Sequence, residues 1–168
     1  MTLIKRLLLC VTLSVWVVAS HAQDAPEIPT KSAIGKTELS VCIRDASIFH
    51  KINATVLEAI LRVESRLRPE TIHQNSNNTI DIGIAGLNSV HLRELSQFGI
   101  GQTDLLNPCI GTYVGAWHLA KQYRKYGNTW QAVGAYHSTT PNENIRYQNL
   151  IYQEVKKILA KNNIVPTQ

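Results

Sequence analysis

Asn53-Ala54-Thr55-Val56-Leu57-Glu58-Ala59-Ile60-Leu61-Arg62-Val63-Glu64-Ser65 is the stretch on which the reading of this chain turns. Asn53 is a good helix N-cap, and Val56, Leu57, Ile60 and Val63 recur at the spacing of a helix with one apolar face. The stripe extends to Leu67, and Pro69 ends it. Glu64 falls on the same face, one turn after Ile60 and about one turn before Leu67. A carboxylate there is costly unless it is paired or protonated. The residues alone leave two possibilities. Arg68, four positions on, can pair with Glu64, whereas Arg62 and Arg66 point away. Alternatively, burial raises the carboxyl pKa until the group holds and delivers a proton near neutral pH, as a general acid must.

Helical periodicity continues on both sides. Leu39, Cys42, Ile43, Ala46 and Phe49 mark one face of a preceding helix. Thr71 to Asp81 is rich in Asn and Ser and too polar for a buried element. Ile82-Gly83-Ile84-Ala85-Gly86-Leu87 then reads as a compact apolar turn bounded by Asn88 and Ser89, with a short helix expected from Val90 to about Phe98. Asn107-Pro108 supplies an N-cap with proline at N1, and the helix it starts runs through Ile110, Val114, Trp117 and Tyr123 to a stop at Gly127. Thr129 can cap a brief helix through Tyr136. A last helix from about Asn142 carries Ile145, Ile151, Tyr152, Val155 and Leu159. No segment alternates convincingly with period two, although Ile80–Leu87 has room for a short hairpin. The expected fold class is mainly α, in a single domain of a size that builds one core.

Near the N-terminus, Lys5 and Arg6 precede an apolar run, Leu7–Val18, that closes on small residues, with Ser20 and Ala22 set for cleavage after Ala22. That is the pattern of an exported chain's signal peptide, and the run is well short of the ~20 residues a membrane-spanning helix needs. The expected organisation is a signal peptide at 1-22, a flexible leader at 23-36 containing Pro26, Pro29 and Gly35, a domain at 37-162 and a tail at 163-168. Periplasmic or exported localisation follows, with no stable membrane anchor after cleavage. Of three cysteines, Cys10 leaves with the signal, and Cys42 and Cys109 remain. In an oxidising compartment they form either a disulfide, worth roughly 3–4 kcal/mol through loop closure, or two separate buried thiols. A two-cysteine metal site lacks supporting ligands nearby, and neither metal nor cofactor is expected. The formal net charge of +5 includes Lys5 and Arg6. Without them the balance is weakly positive, too scattered to indicate nucleic acid but compatible with an anionic envelope polymer.

Several segments resemble, in order, the lytic transglycosylases of the lysozyme-like superfamily, specifically those associated with secretion systems, pili and conjugation. Ala59 to Ser65 resembles the helix end that carries the family's catalytic Glu-Ser pair. Asp81 to Ser89 is similar to its Gly-Leu-Met-Gln turn and the following Ile-Asn-Ser. Asn107-Pro108-Cys109-Ile110 and Gly115-Ala116-Trp117-His118-Leu119-Ala120 resemble the helix of the specialised members. Val133-Gly134-Ala135-Tyr136-His137-Ser138 matches the Ala-Tyr-Asn segment, and Asn144 to Tyr147 the Asn-x-x-Tyr that opens the last helix. The two remaining cysteines stand where those members carry theirs. The likeness spans roughly Val41 to Leu159. Two departures stand out: Ala85-Gly86 replaces Met-Gln, removing a side-chain amide that Asn75, Asn77 or Asn88 could replace, and His137 replaces Asn.

The resemblance implies a lysozyme-like domain with at most a small hairpin near its cleft, acting on peptidoglycan glycan strands. Glu64 would protonate the bond between N-acetylmuramic acid and N-acetylglucosamine, then act as base on the C6 hydroxyl to give a 1,6-anhydro product. Ser65, Gly83, Asn88, Tyr136 and His137 would bind or orient substrate, Ser65 either by orienting Glu64 or by capping backbone groups. Asp81 is the nearest second carboxylate and equally a residue that shapes the loop. Trp117 and Trp130 are either sugar platforms or core residues. The implied partners are peptidoglycan and components of an envelope-spanning secretion, pilus or conjugation machine. Two alternatives stay open: a muramidase that hydrolyses the same bond, and a weak or inactive peptidoglycan-binding assembly factor, which the missing Gln favours.

Overall fold

Side-chain caps set where the main helices begin. The structure, a computed structural model, describes residues 39–162, so the expected signal, leader and tail lie outside the described residues. Helix α1 spans Leu39–His50 and α2 Ala54–Ser65. Between them, the Asn53 side chain accepts hydrogen bonds from the Thr55 and Val56 amides at 2.9 and 3.1 Å. These satisfy donors that the first turn leaves unpaired. Asn107 does the same for α4 (Pro108–Tyr126), accepting from Cys109 and Ile110. Thr129 caps α5 (Trp130–Ala135) through Ala132. The chain ends in the long α6, Pro141–Lys161.

Helix α2 is shorter at its C-terminus than the apolar stripe predicts. It stops at Ser65, and both Arg66 (φ 58°) and Leu67 (φ 62°) take left-handed conformations. The Arg66 and Leu67 amides return to the carbonyls of Arg62 and Leu61, which satisfies two acceptors that the last turn would otherwise leave unpaired. Leu67 still packs on the core, from outside the helix. The polar stretch Thr71–Asp81 is also more ordered than a loop. Strand β1 (Ile72–Gln74) pairs antiparallel with β2 (Ile80–Ile82), which pairs with the two-residue β3 (Leu87–Asn88). Asn77 and Asn78 make the connection, Asn78 at φ 64° and Asn77 accepting from the Thr79 amide and hydroxyl. The small hairpin expected beside the cleft is therefore present, extended by a third strand. The helix expected from Val90 to Phe98 is broken into two single 3-10 turns around α3, Leu92–Leu95.

Helix α4 is the axis of the molecule. Every residue from Cys109 to Ala120 is buried. α4 packs against α1, α2 and α5, and α6 closes the other side against α2 and α5. Three apolar clusters meet around it. Leu57, Leu61, Ile84, Ala85 and Ala116 form one, and Ile60, Leu119, Tyr136, Tyr147 and Ile151 a second. Ile82, Leu87, Leu95, Leu105, Val114 and Trp117 form the third under the sheet. Trp117 is thus a core residue, and Trp130 lies against Tyr152 on the α5–α6 surface. Cys42 of α1 and Cys109 of α4 form a disulfide with Cα atoms 5.2 Å apart, closing a loop of 67 positions. Among the described residues no helix is long and apolar enough to cross a membrane.

Candidate active site

Glu64 occupies the last turn of α2, where the helix end, the Gly83–Gly86 turn and the start of α6 converge. Its carboxyl is largely buried, which pushes its pKa from 4.5 up to about 7, and the negative charge of Asp81 adds to the rise. The Tyr147 hydroxyl, from α6, donates to Glu64 Oε1 and works in the opposite direction. Burial wins because one hydrogen bond replaces only part of the lost hydration. Tyr147 itself is held far above the usual phenol range by burial and by Glu64's charge, so it keeps the proton it donates. No salt bridge to Glu64 forms among the described residues. Arg68 Nε donates instead to the Ser65 carbonyl and Arg62 pairs with Glu58, which removes the ion-pair reading of Glu64.

The other wall of the carboxyl is backbone. Gly86 has φ +54°, and a Cβ built on it would lie 2.5 Å from Glu64 Oε2. The Ala85-Gly86 departure from Met-Gln is therefore matched to this site: the carboxyl occupies the space a side chain at position 86 would need. Two side-chain bonds hold that turn. Ser65 Oγ donates to the Ile84 carbonyl at 2.8 Å, and Tyr136 Oη donates to the Ala85 carbonyl at 2.8 Å. Ser65 Oγ also accepts from the Arg68 amide, so the capping reading of Ser65 describes its contacts. Gly115 of α4 permits the approach: a Cβ there would sit 2.8 Å from Ala85 Cβ and 3.4 Å from the Tyr136 hydroxyl.

A cleft of about 600 Å³ opens above Glu64. Of the residues expected to bind or orient substrate, Asn88, Tyr136 and His137 line it together with Glu64. Ser65 and Gly83 do not. Gly83 is a turn residue whose Cα faces the Leu105 carbonyl, so its role is to pass the chain beneath the loop before α4. Asn88 is fully engaged: Nδ2 donates to Asp81 and to Thr79, and Oδ1 accepts from Val90. It therefore cannot stand in for the missing Gln amide, whereas Asn75 and Asn77 lie at the hairpin end of the cleft. Asp81 lines the cleft with its carboxylate oriented by Asn88. His137 is exposed and its ring runs parallel to Tyr147 at 5.0 Å.

Among the lining or contacting residues beyond the expected set, Tyr147, His91 and His118 carry titratable groups. Tyr147 was legible only as part of Asn144-x-x-Tyr147. Asn144 explains that spacing, because its amide donates to the carbonyls of Gln131 and Ser138 and ties α6 to the segment bearing Tyr136 and His137. The rings of His91 and His118 lie 4.6 Å apart in the cleft wall, tilted by 57° to one another. Burial and the neighbouring imidazole lower the His118 pKa to about 4, so it is neutral.

Comparison with known proteins agrees with this geometry. The Transglycosylase SLT domain model matches residues 41–158. Invasion protein IagB of Salmonella typhimurium is 34% identical over 122 residues, 70% of this chain and 76% of that protein. X polypeptide of Escherichia coli is 34% identical over 141 residues, 79% of this chain and 83% of that protein. A peptidoglycan-binding-like protein of Escherichia coli O157:H7 is 32% identical over 125 residues, 67% and 75% respectively. The matched span begins in α1, ends in α6 and includes every residue that encloses Glu64, so the chain belongs to the SLT-domain transglycosylase family.

Proposed function

We propose that this protein is an exported lytic transglycosylase that cleaves the β-1,4 bond between N-acetylmuramic acid and N-acetylglucosamine in peptidoglycan, with Glu64 as the catalytic group. The observation that carries the reading is a carboxyl with a pKa near 7 at the floor of an open cleft, held by a phenol and free of any cationic partner among the described residues. Such a group is protonated in a useful fraction at neutral pH and gives its proton to the leaving glycosidic oxygen. The Tyr147 hydrogen bond then stabilises the carboxylate left behind. The substrate's own N-acetyl group supports the positive charge developing at the anomeric carbon, so no second carboxylate is required. Glu64 takes the proton from the C6 hydroxyl, the C6 oxygen bonds to the anomeric carbon, and the 1,6-anhydro ring closes without consuming water. Tyr136 and His137 border the reacting sugar, and Ser65 acts through the turn.

Kinship with an invasion protein, and the resemblance to secretion-, pilus- and conjugation-associated members, supports a role in opening the wall locally for an envelope-spanning machine. The test is mass spectrometry of the muropeptides that the purified protein releases from sacculi. Anhydro-muramyl ends are the expected product. Reducing ends assign hydrolysis, and no release assigns a binding role.

A further inference from the structure

Glu64 is reached from two sides. Besides the main cleft, a second cavity of about 150 Å³ is lined by Val63, Glu64, His137, Arg146, Tyr147 and Leu150. Glu64 and His137 border both. A polymer cut at Glu64 must extend past the carboxyl in both directions, and the two arms differ in chemistry. The main cleft presents the amides and hydroxyls of Asn75, Asn77 and Thr79, and no Lys or Arg among its described lining. The small arm presents a guanidinium between apolar Val63 and Leu150.

We infer that the small arm beside Glu64 is a carboxylate-recognition site, in which Arg146 binds the acid group carried by the glycan strand and so sets which sugar sits on that side of the scissile bond. The inference rests on the peptidoglycan reading of the cleft. Arg146 suits the task because its partner is weak: it meets Glu143 at 3.1 Å on an exposed helix face, with the Arg146 side chain 70% exposed. Such pairs contribute little and exchange readily. A guanidinium offers a carboxylate two parallel, charge-assisted hydrogen bonds, a geometry Lys does not reproduce. N-acetylmuramic acid carries a lactyl carboxylate where N-acetylglucosamine has a hydroxyl, and stem peptides carry carboxylates of their own. The shared chemistry is the carboxylate.

The experiment measures binding in a Glu64→Gln background, which prevents turnover. Peptide-free glycan strands are compared with the same strands after reduction of their lactyl carboxylates to alcohols, and with strands that retain stem peptides. The Glu64→Gln protein is expected to prefer the unreduced strands about tenfold, and Arg146→Ala to abolish that preference while leaving affinity for reduced strands unchanged. Arg146→Lys should restore only part of it. A preference confined to strands with stem peptides assigns the carboxylate to the peptide, and one already present without them assigns it to the lactyl group. If Glu64→Gln binds all three kinds of strand equally, or if Arg146→Ala weakens all of them alike, carboxylate recognition is overturned while the glycan reading stands. If it binds no strand at all, the glycan reading itself fails and takes this inference with it. The Arg146 side chain is exposed, so its removal leaves the core unchanged, and thermal unfolding of the variant checks this.

Discussion

Replacing Glu64 by Gln should make the protein more stable and inactive at once, and the stability gain should depend on pH in a defined way. In the folded state the carboxyl titrates at about 7, against an ordinary value of 4.5. A difference of that size corresponds to about 3 kcal/mol at 1.36 kcal/mol per unit. Below pH 4.5 the group is protonated whether the chain is folded or not, and the difference contributes nothing. Between 4.5 and 7 the unfolded chain ionises while the folded one retains its proton, so wild-type stability falls as pH rises. Above 7 both are ionised and the full cost is present. Gln is neutral throughout, and its amide oxygen still accepts from Tyr147. Glu64→Gln should therefore match wild type near pH 4 and exceed it by up to about 3 kcal/mol at pH 8, on the order of 10 °C in Tm for a domain of this size. Denaturant unfolding from pH 4 to 9 with the disulfide intact measures this, and turbidity loss of sacculi should fall at least ~100-fold in parallel. A stability difference that is flat with pH, or a destabilised variant at pH 8, would refute the burial argument. Retained activity would refute the role of Glu64.

Tyr147→Phe removes the one interaction that lowers the Glu64 pKa, so the basic limb of the pH–rate profile should move upward and the rate below it should drop. A profile that keeps its shape assigns Tyr147 to packing alone. Restoring the family's residues with Ala85→Met and Gly86→Gln should reduce activity, because the new Cβ at position 86 meets Glu64 Oε2 and the backbone there has positive φ. A gain in turnover on sacculi contradicts this. Cys42→Ser should lower stability by about 2–4 kcal/mol in denaturant unfolding, and thiol titration of the denatured, unreduced wild type should find neither Cys42 nor Cys109 free.

The helical frame was legible because its signals are local. Asn53, Asn107-Pro108 and Thr129 cap helices by contacts within three residues, and all three caps form as expected. Glu64 stood out for a related reason: a charge on an apolar stripe needs an explanation wherever the stripe packs. What stayed hidden depends on the tertiary fold. β1 is three exposed residues held by cross-strand pairing, too short to show a period. The end of α2 is decided by Ser65 reaching Ile84, nineteen positions away. Tyr147 joins Glu64 across 83 positions, and the Asn144-x-x-Tyr147 spacing that marks it says nothing of that partner. His118 lies on a stretch of α4 that is buried all round, where an imidazole facing a cleft looks the same as one facing the core. The replacement of Met-Gln looked like a loss because a missing side chain is visible in sequence and the carboxyl that fills its space is not.

The successive carbonyls of Ile84 and Ala85 are each gripped by a different part of the helical scaffold, one by the end of α2 and the other by the residue that follows α5. The strip of chain facing Glu64 is thus riveted on both flanks, and prising the cleft apart there breaks two buried bonds together. The Asn75–Thr79 tip of the β1–β2 hairpin has no such fastening; its side-chain bonds stay within the hairpin or reach Asn88. As a mechanical device the cleft has one jaw fastened to two helical elements and one fastened only within the sheet, so a stiff strand of the kind proposed as substrate would displace the hairpin tip before the wall facing Glu64.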